Sequence, residues 1–319
     1  MLNILLLIIG IALLSIGGEL LIRGSLGAAK FLGISPLLSG LVIVGFGTST
    51  PELVVSISAA INEQPDIAVG NVVGSNIGNV LLILGICAVI RPLTIKPIAL
   101  RRDATIVVLS SFLFTLLIVG AIVGRLDALI LLVALLSYLG WAYQSERHSN
   151  MPSAELHKTE AEEVHNIPHS ILWTLFAVFI GLFLLIAGSQ VLLSGAIGIA
   201  ESFHVSEAVI GLTLVAVGTS LPELSISVIA TIRRHADVAV GNILGSNIFN
   251  VLGILGISAL LQPLSVHSRI LDFDQWVMLT ASILLLMLLY TSRNINRLEG
   301  AFLLICYGLY LVISFTFFG

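Results

Sequence analysis

Gly45-Phe-Gly-Thr-Ser-Thr-Pro-Glu52, followed by Val69-Gly-Asn-Val-Val-Gly-Ser-Asn-Ile-Gly-Asn79, is nearly duplicated further along the chain. The second copy reads Ala216-Val-Gly-Thr-Ser-Leu-Pro-Glu223, followed by Val240-Gly-Asn-Ile-Leu-Gly-Ser-Asn-Ile-Phe-Asn250. Each copy sets one carboxylate inside an apolar stretch. An acid in hydrocarbon costs several kcal/mol unless it faces a cavity and meets a cation, so its default reading is functional. The same costly placement made twice, in the same surroundings, points to one shared site built from both copies.

Working outward, the whole chain has membrane composition. It is 57% hydrophobic and 10% charged, with a mean hydropathy of +1.10, against about 25% charged residues in a soluble domain. The net charge of -4 says little, because the placement of charge matters more than its sum. Cys87 and Cys306 both lie in apolar runs and read as small buried hydrophobes rather than a disulfide. The N-terminal Met-Leu-Asn-Ile-Leu-Leu has neither a basic segment nor a small-residue cleavage site, and is read as a retained first span.

A helical span needs about 20 apolar residues. Polar, proline and glycine punctuation predicts ten: 2–22, 35–61, 67–90, 103–122, 126–144, 170–194, 206–232, 238–260, 274–291 and 298–318. The hydrophilic stretch from Gln144 to His169 separates the fifth from the sixth and reads as a solvated linker.

The duplication reaches beyond the motifs. At a constant offset of 171 residues, Ser35 matches Ser206, Pro92-Leu matches Pro263-Leu, and Asp103 matches Asp274. More than half the positions of Gly40–Ile86 are identical to Gly211–Ile257. Five spans per copy is an odd number, so the second copy enters the bilayer from the opposite side. The expected fold is therefore all-α, a polytopic membrane protein of ten transmembrane helices in two inverted five-helix repeats. Residues 1–144 form the first repeat, 145–169 the linker and 170–319 the second. This architecture is typical of secondary transporters.

Lys and Arg give the sidedness. Alternating the loops from the N-terminus places Arg23, Lys30, Arg91, Lys96, Arg101, Arg102, Arg147, Lys158, Arg233, Arg234, Arg293 and Arg297 on one side, and only Arg125 and Arg269 on the other. The positive-inside rule puts the first side in the cytoplasm. Both termini then lie outside and the linker inside.

Within the motif, proline removes an amide donor and clashes with the carbonyl four residues back. Pro51 should free the carbonyl of Gly47, Pro222 that of Gly218, and each span should break there. Unpaired carbonyls, the hydroxyls of Thr48 and Ser49, and the Glu52 carboxylate would cluster as hard oxygen ligands, with Thr219, Ser220 and Glu223 as their twins. Ser75 and Asn79 are four apart and share a helix face, as do Ser246 and Asn250. An ordinary interhelical hydrogen bond would explain any one of them alone; repetition beside a Glu assigns these four to the site. For Asn71, Asn76, Asn242 and Asn247 the balance is even between the site and satisfying broken backbone. Gly70, Gly74, Gly241 and Gly245 read as close-packing positions.

The cluster holds no Cys or His, which argues against zinc, copper or iron. Calcium takes six to eight oxygens in flexible geometry, whereas magnesium keeps its water and demands a tighter octahedron. One Ca²⁺ balances two carboxylates; so do two Na⁺ or two protons. Divalent and monovalent loads are then mutually exclusive, which is the physical basis of antiport.

These doubled motifs resemble those of the calcium/cation antiporters, and within them the bacterial and archaeal sodium/calcium exchangers. The resemblance runs over essentially all ten spans. It implies a central diamond of four broken helices, here spans two, three, seven and eight, with the long first and sixth spans sliding against it. It implies Glu52, Glu223, Ser49, Ser220, Ser75, Ser246, Asn79 and Asn250 as ion ligands, with backbone carbonyls at Gly45, Thr48, Ala216 and Thr219. It implies Na⁺ and Ca²⁺ as the transported ions, no cofactor, a bacterial or archaeal plasma membrane, and a unit that can work as a monomer. Coupling of three Na⁺ to one Ca²⁺, as in that family, would be electrogenic. Some relatives, the potassium-dependent ones among them, carry Asp at the place of Asn250; Asn there argues against potassium co-transport.

Sodium-driven calcium export is thus the leading expectation. A proton-coupled calcium exchanger of the same fold is the nearest rival and a cation channel a more distant one. An intramembrane hydrolase lacks any intramembrane His or Lys beside Ser49 or Ser220 to act as base. Glu19 and its repeat partner Gln190 also fall within spans, Glu19 near the cytoplasmic end as a snorkelling acid, with a gating role as the alternative.

Overall fold

A computed structural model describes residues 2–34, 36–94, 97–148, 170–202, 216–291 and 294–317. Residues 149–169 of the linker, the start of the seventh span, and the Ser35–Ser206 match lie outside the described residues.

The described chain is almost entirely helical. Its elements are α1 (Leu2–Leu32), α2 (Gly40–Thr48), α3 (Thr50–Ile61), α4 (Pro65–Ile90), α5 (Pro97–Leu117), α6 (Arg125–His148), α7 (Ile171–Ser202), α8 (Ala216–Thr219), α9 (Leu221–Ile232), α10 (Ala236–Leu261), α11 (Ile270–Tyr290) and α12 (Arg297–Phe317). Eight of these are long and apolar enough to cross a membrane, and α2 with α3, bent by 47°, makes a ninth span. The short apolar α9, preceded by α8, stands where the expected seventh span ends. The ten expected spans are compatible with this arrangement.

Proline opens α4 and α5 at a first-turn position, where the missing N–H has no helical partner to lose. Helix α1 ends at Gly33, whose φ of +65° is a left-handed value that glycine adopts without strain. The first and sixth helices run well past the apolar cores at 2–22 and 170–194. Arg23 does not end α1, because its guanidinium lies against Glu19 one turn back at 2.8 Å.

The two halves mirror each other in detail. Glu63 and Arg234, equivalent by the 171-residue offset, both take positive φ (57° and 68°) at the turns into α4 and α10. Those turns close with matched bonds, Gln64 N–H to Ala59 C=O and His235 N–H to Ala230 C=O, both 2.8 Å. Four two-residue strands tie the halves at their ends. β1 (Leu93–Thr94) pairs antiparallel with β4 (Asn294–Ile295), and β2 (Ile122–Val123) with β3 (Leu264–Ser265). From the second ribbon strand onward the offset is 172 (Val123 to Ile295, Tyr138 to Tyr310), and with it exchanging the repeats turns the Leu93–Ile295 pair into Val123–Leu264, so the two ribbons map onto each other. Ser111 and Ser282, equivalent residues, meet hydroxyl to hydroxyl at 3.0 Å, which puts the pseudo-two-fold axis between them. Buried Asp103 accepts Tyr138 at 2.9 Å and its twin Asp274 accepts Tyr310 at 3.1 Å. Arg102 pairs with the first acid and Arg269 with the second.

Two bodies make up the packing. Helices α1 and α7 form one, along a stripe of glycines spaced by seven: Gly10, Gly17 and Gly24 on α1, and Gly181, Gly188 and Gly195 on α7. A Cβ at any of them would lie within 3 Å of backbone on the facing helix, so main chain lies on main chain. The pair meets the rest through side-chain ends: Leu182 over Gly47, Leu193 over Gly218 and Ile229 over Gly18. In the other body α4 and α10 are the most enclosed helices, with 67% and 83% of their apolar stretch buried, against 28% for α1. Glu19 spans the two bodies, reaching Arg233 beyond the end of α9 at 3.0 Å as well as Arg23, so it is held between two guanidinium groups.

Contact is closest where the wide turn Gly40–Gly45 of α2 lies on α10: a Cβ on Gly245 would sit 2.0 Å from the Leu41 carbonyl oxygen. Backbone cannot yield as a side chain can. Gly245→Ala is therefore expected to destabilise the protein by about 1–3 kcal/mol, as overpacking of a tight interior does. At Gly308, exposed on α12, an added methyl would meet no described atom within 4 Å, so Ala should be accepted there with little loss. Thermal melts of the two variants in detergent check the contrast; equal melting temperatures would contradict the packing described.

Candidate cation site

The site lies where the two broken helices meet α4 and α10. Each break falls on the motif serine: Ser49 (φ -78°, ψ 10°) and Ser220 (φ -88°, ψ 8°) leave helical geometry, and helix resumes with proline in its first turn. Glu52 and Glu223 then fall in the first turns of α3 and α9, where unpaired N–H groups and the helix dipole favour a negative charge. Both acids are only 1% exposed.

Ser-x-x-Glu at a helix start is the pattern of a capping box, but neither serine caps its own helix. Ser49 Oγ instead donates to Glu223 Oε1 at 3.0 Å, and Ser220 Oγ donates to Glu52 Oε1 at 3.1 Å. Each serine hydroxyl is thus exchanged onto the acid of the other repeat, which brings both carboxylates to one place. Both Ser-x-x-Glu patterns are visible in the sequence; their exchange is not.

Amides buttress the acids from behind. Asn71 Nδ2 donates to the Glu52 carbonyl (3.2 Å) and to Ser56 Oγ (3.0 Å), and Asn242 Nδ2 does the same to the Glu223 carbonyl (3.2 Å) and Ser227 Oγ (2.8 Å). These two asparagines therefore hold the first turns of α3 and α9 against α4 and α10. Asn76 and Asn247 do something different: they bridge α4 and α10. Asn79 Nδ2 donates to Asn247 Oδ1 at 3.3 Å, Asn250 Nδ2 to Asn76 Oδ1 at 3.1 Å, and Asn76 Nδ2 to the Asn247 carbonyl at 3.1 Å.

Within the site, among the described residues, four buried oxygens are left without a hydrogen-bond partner: Oε2 of Glu52 and of Glu223, and Oδ1 of Asn79 and of Asn250. They form two symmetry-related pairs. Buried acceptors are rarely left unmet, and oxygen from two carboxylates and two amides is what a hard cation requires. Among the described residues no group of three or more His, Cys, Asp or Glu offers a metal site.

The remaining expected ligands are less uniform. Ser75 is 8% exposed on α4, and Ser246, fully buried, donates to the Gly45 carbonyl at 3.1 Å. The Gly45 oxygen also receives Thr48 Oγ1 at 3.3 Å and the Ser49 N–H at 3.2 Å. A carbonyl has two lone pairs, so the two hydroxyls must turn away before this oxygen can face an ion. Thr48 Oγ1 also lies 3.0 Å from Asn242 Oδ1. Thr219 and Ser220 are half-buried, and Ala216 begins α8. One expectation needs correcting. The carbonyl released by Pro51 is not left unpaired, because the Thr50 hydroxyl takes Gly47 O at 2.7 Å. The second copy has Leu221 at that place, with no hydroxyl to do the same.

Wide, π-type helical turns adjoin the expected ligands: Gly40–Gly45 ends on one, Asn79–Ile83 begins on one, and Phe249–Ile254 contains one. Such turns cluster at functional positions. They leave no mark in composition.

Comparison with known proteins gives the family and the overall fold. The family model described as sodium/calcium exchanger protein matches residues 2–144 and 173–316. The chain is 35% identical to the inner membrane protein YrbG of Escherichia coli over 287 residues, 89% of this chain and 87% of that one. It is 32% identical to the sodium/calcium exchanger MaX1 of Methanosarcina acetivorans over 344 residues, 98% of each. Among solved structures it is similar to the sodium–calcium exchanger NCX_Mj soaked with zero Na⁺ and Ca²⁺, with a TM-score of 0.83, 28% identity and 98% of both chains covered.

If the four open oxygens receive a cation, removing one charge should weaken it sharply. Glu52→Gln and Glu223→Gln are each expected to lower Ca²⁺ affinity at least tenfold, read as loss of Ca²⁺-induced thermal stabilisation of the purified protein. Wild-type stabilisation by Ca²⁺ in either variant would exclude a site shared by both acids.

Proposed function

Because the chain belongs to the sodium/calcium exchanger family of membrane transporters, we propose that it exchanges Na⁺ for Ca²⁺ by alternating access at the Glu52–Glu223 site. The observation that carries this reading is the set of four unpartnered oxygens, contributed equally by the two repeats and sealed from water. Two carboxylates suit one Ca²⁺ or a set of Na⁺ ions, not both at once. Loading with one species empties the site of the other, and coupling follows from that competition.

The positive-inside rule places both termini outside and the linker in the cytoplasm. On that topology α2 and the first half of α10 lie on the cytoplasmic side, and their packing at Gly45, Leu41 and Gly245 closes it. Ser220 and Thr219, on the opposite side of the site, are half-buried, whereas Thr48, Ser49 and Ser246 are fully buried. Alternation would loosen the first contact and tighten its twin. The α1/α7 body, which meets the core through leucine and isoleucine ends at Gly47, Gly218 and Gly18 and through the Glu19–Arg233 and Ser25–Ser39 contacts, is the element proposed to slide. With sodium higher outside, the gradient drives calcium out.

The deciding measurement is ⁴⁵Ca uptake into proteoliposomes under imposed gradients. An outward Na⁺ gradient at clamped pH is expected to drive uptake, and a pH gradient without Na⁺ is not. Uptake that ignores Na⁺ and follows pH would make the protein a proton-coupled calcium exchanger. Calcium flux with no counter-ion, at channel rates, would reject exchange altogether.

A further inference from the structure

The two amide ligands pose a problem that the two carboxylates do not. A carboxylate presents oxygen at both ends, whereas an asparagine side chain presents an acceptor at one end and a two-proton donor at the other. Turned over, Asn79 or Asn250 would aim N–H groups at a cation and repel it. Something must hold each amide the right way round.

From the hydrogen bonds between α4 and α10 we infer that Asn247 and Asn76 are positioning residues that fix the amide orientation of Asn79 and Asn250. Asn247 Oδ1 accepts the Asn79 amide nitrogen at 3.3 Å, and Asn76 Oδ1 accepts that of Asn250 at 3.1 Å. With its nitrogen engaged across the helix interface, each ligand amide leaves its oxygen unpartnered, and both oxygens are among the four open acceptors. The bonds are reciprocal between repeats: each helix supplies one ligand and the acceptor that orients the other helix's ligand.

Asn247 shows that the acceptor is what matters. Its side-chain nitrogen is buried without a partner, an arrangement that costs about 1–3 kcal/mol. Among the described residues its Oδ1 has one side-chain partner, Asn79. The bond that ties the helices, from Asn76 Nδ2, goes to the Asn247 backbone and needs no side chain at position 247. Among the described contacts, the Asn247 side chain therefore joins the helices through the bond that orients Asn79. Asn76 combines both tasks. Outer residues of this kind are worth about 10–100-fold in metal affinity.

This inference rests on the exchange reading, and the test separates the two by the physics of the carboxylate. Replacing Asn79 by Asp makes orientation irrelevant, since either end then accepts a cation. Purified wild type, Asn247→Ala, Asn79→Asp and the double variant are compared for Ca²⁺ KM and maximal rate in proteoliposomes, with Ca²⁺ binding in detergent as a second readout. Asn247→Ala alone is expected to raise KM about 10–100-fold with little change in maximal rate. In the Asn79→Asp background the same change should shift KM less than about threefold, a coupling that a double-mutant cycle measures directly. An equal KM penalty in both backgrounds would assign Asn247 a structural role and overturn the inference, as would a KM for Asn247→Ala within twofold of wild type. The mirror set, Asn76→Ala with Asn250→Asp, repeats the test from the other repeat should Asn247→Ala not fold. Absence of Ca²⁺ exchange and binding in the wild type itself would be a failure of the exchange reading, visible before any variant is compared.

Discussion

Two carboxylates buried within reach of each other are the constraint that the rest of the structure answers. Placed in hydrocarbon and left unpaired, either would cost several kcal/mol. The fold meets this cost locally, with a helix N-terminus beneath each acid and a serine donated from the opposite repeat at 3.0 and 3.1 Å. The helices must break at the serine for both to hold. An unbroken helix would bury its first-turn N–H groups in bonds to the preceding turn and leave no dipole end at the acid. The Ser-Thr-Pro-Glu and Ser-Leu-Pro-Glu sequences are the means: proline forbids the continuous ladder, and serine tolerates the non-helical angles while supplying the hydroxyl.

Much of this was legible because the repeat is written twice. One Glu in an apolar run is ambiguous, but Glu52 and Glu223 at a constant offset from matching Gly, Pro, Ser and Asn residues are not. The breaks at Ser49 and Ser220 followed from proline chemistry. What proline could not say was where the freed carbonyl would find a partner; that depended on Thr50, a residue that reads as incidental until its hydroxyl is seen 2.7 Å from Gly47 O. The wide turns at Asn79 and Phe249 were hidden for a different reason. A single extra residue in a helical turn changes no pattern of polarity, only the register of the helix beyond it. Helix ends were also hidden: apolarity marks the part of α1 in hydrocarbon, while the helix itself continues through Arg23 to Leu32 on its ion pair with Glu19.

The asparagines show the limit most clearly. Eight polar residues at equivalent positions, Asn71, Ser75, Asn76 and Asn79 with their twins, look alike in the sequence. The structure divides them by what they face. Asn71 and Asn242 hold the backbone of the acids, Asn79 and Asn250 point open oxygens inward, and Asn76 and Asn247 occupy the seam between α4 and α10. Spacing along one helix cannot reveal this division, because the partners that define it sit on other elements: 15 and 19 residues away within the same repeat for Asn71 and Asn242, and 168 to 174 residues away on the other repeat for Asn76, Asn79, Asn247 and Asn250.

The inverted repeat also explains why the copies are not identical. Two perfectly equal halves would make inward- and outward-closed arrangements equal in energy, each the image of the other. Every departure from identity biases that balance. Thr50 caps a carbonyl that Leu221 cannot, so the two breaks differ in stiffness. Phe249, at the place of Gly78, stacks on Phe46 with centroids 4.4 Å apart and fills space on one side of the site only. Glu19 reaches Arg233, whereas the equivalent positions are the neutral Gln190 and Asn62. Exposed ion pairs contribute about 0–1 kcal/mol each, yet a gap of about 1.4 kcal/mol already changes a population ratio tenfold, so a few such differences suffice to set the resting state. On the proposed exchange reading, the residues that match between repeats make the site, and those that do not match would decide which way it faces when empty.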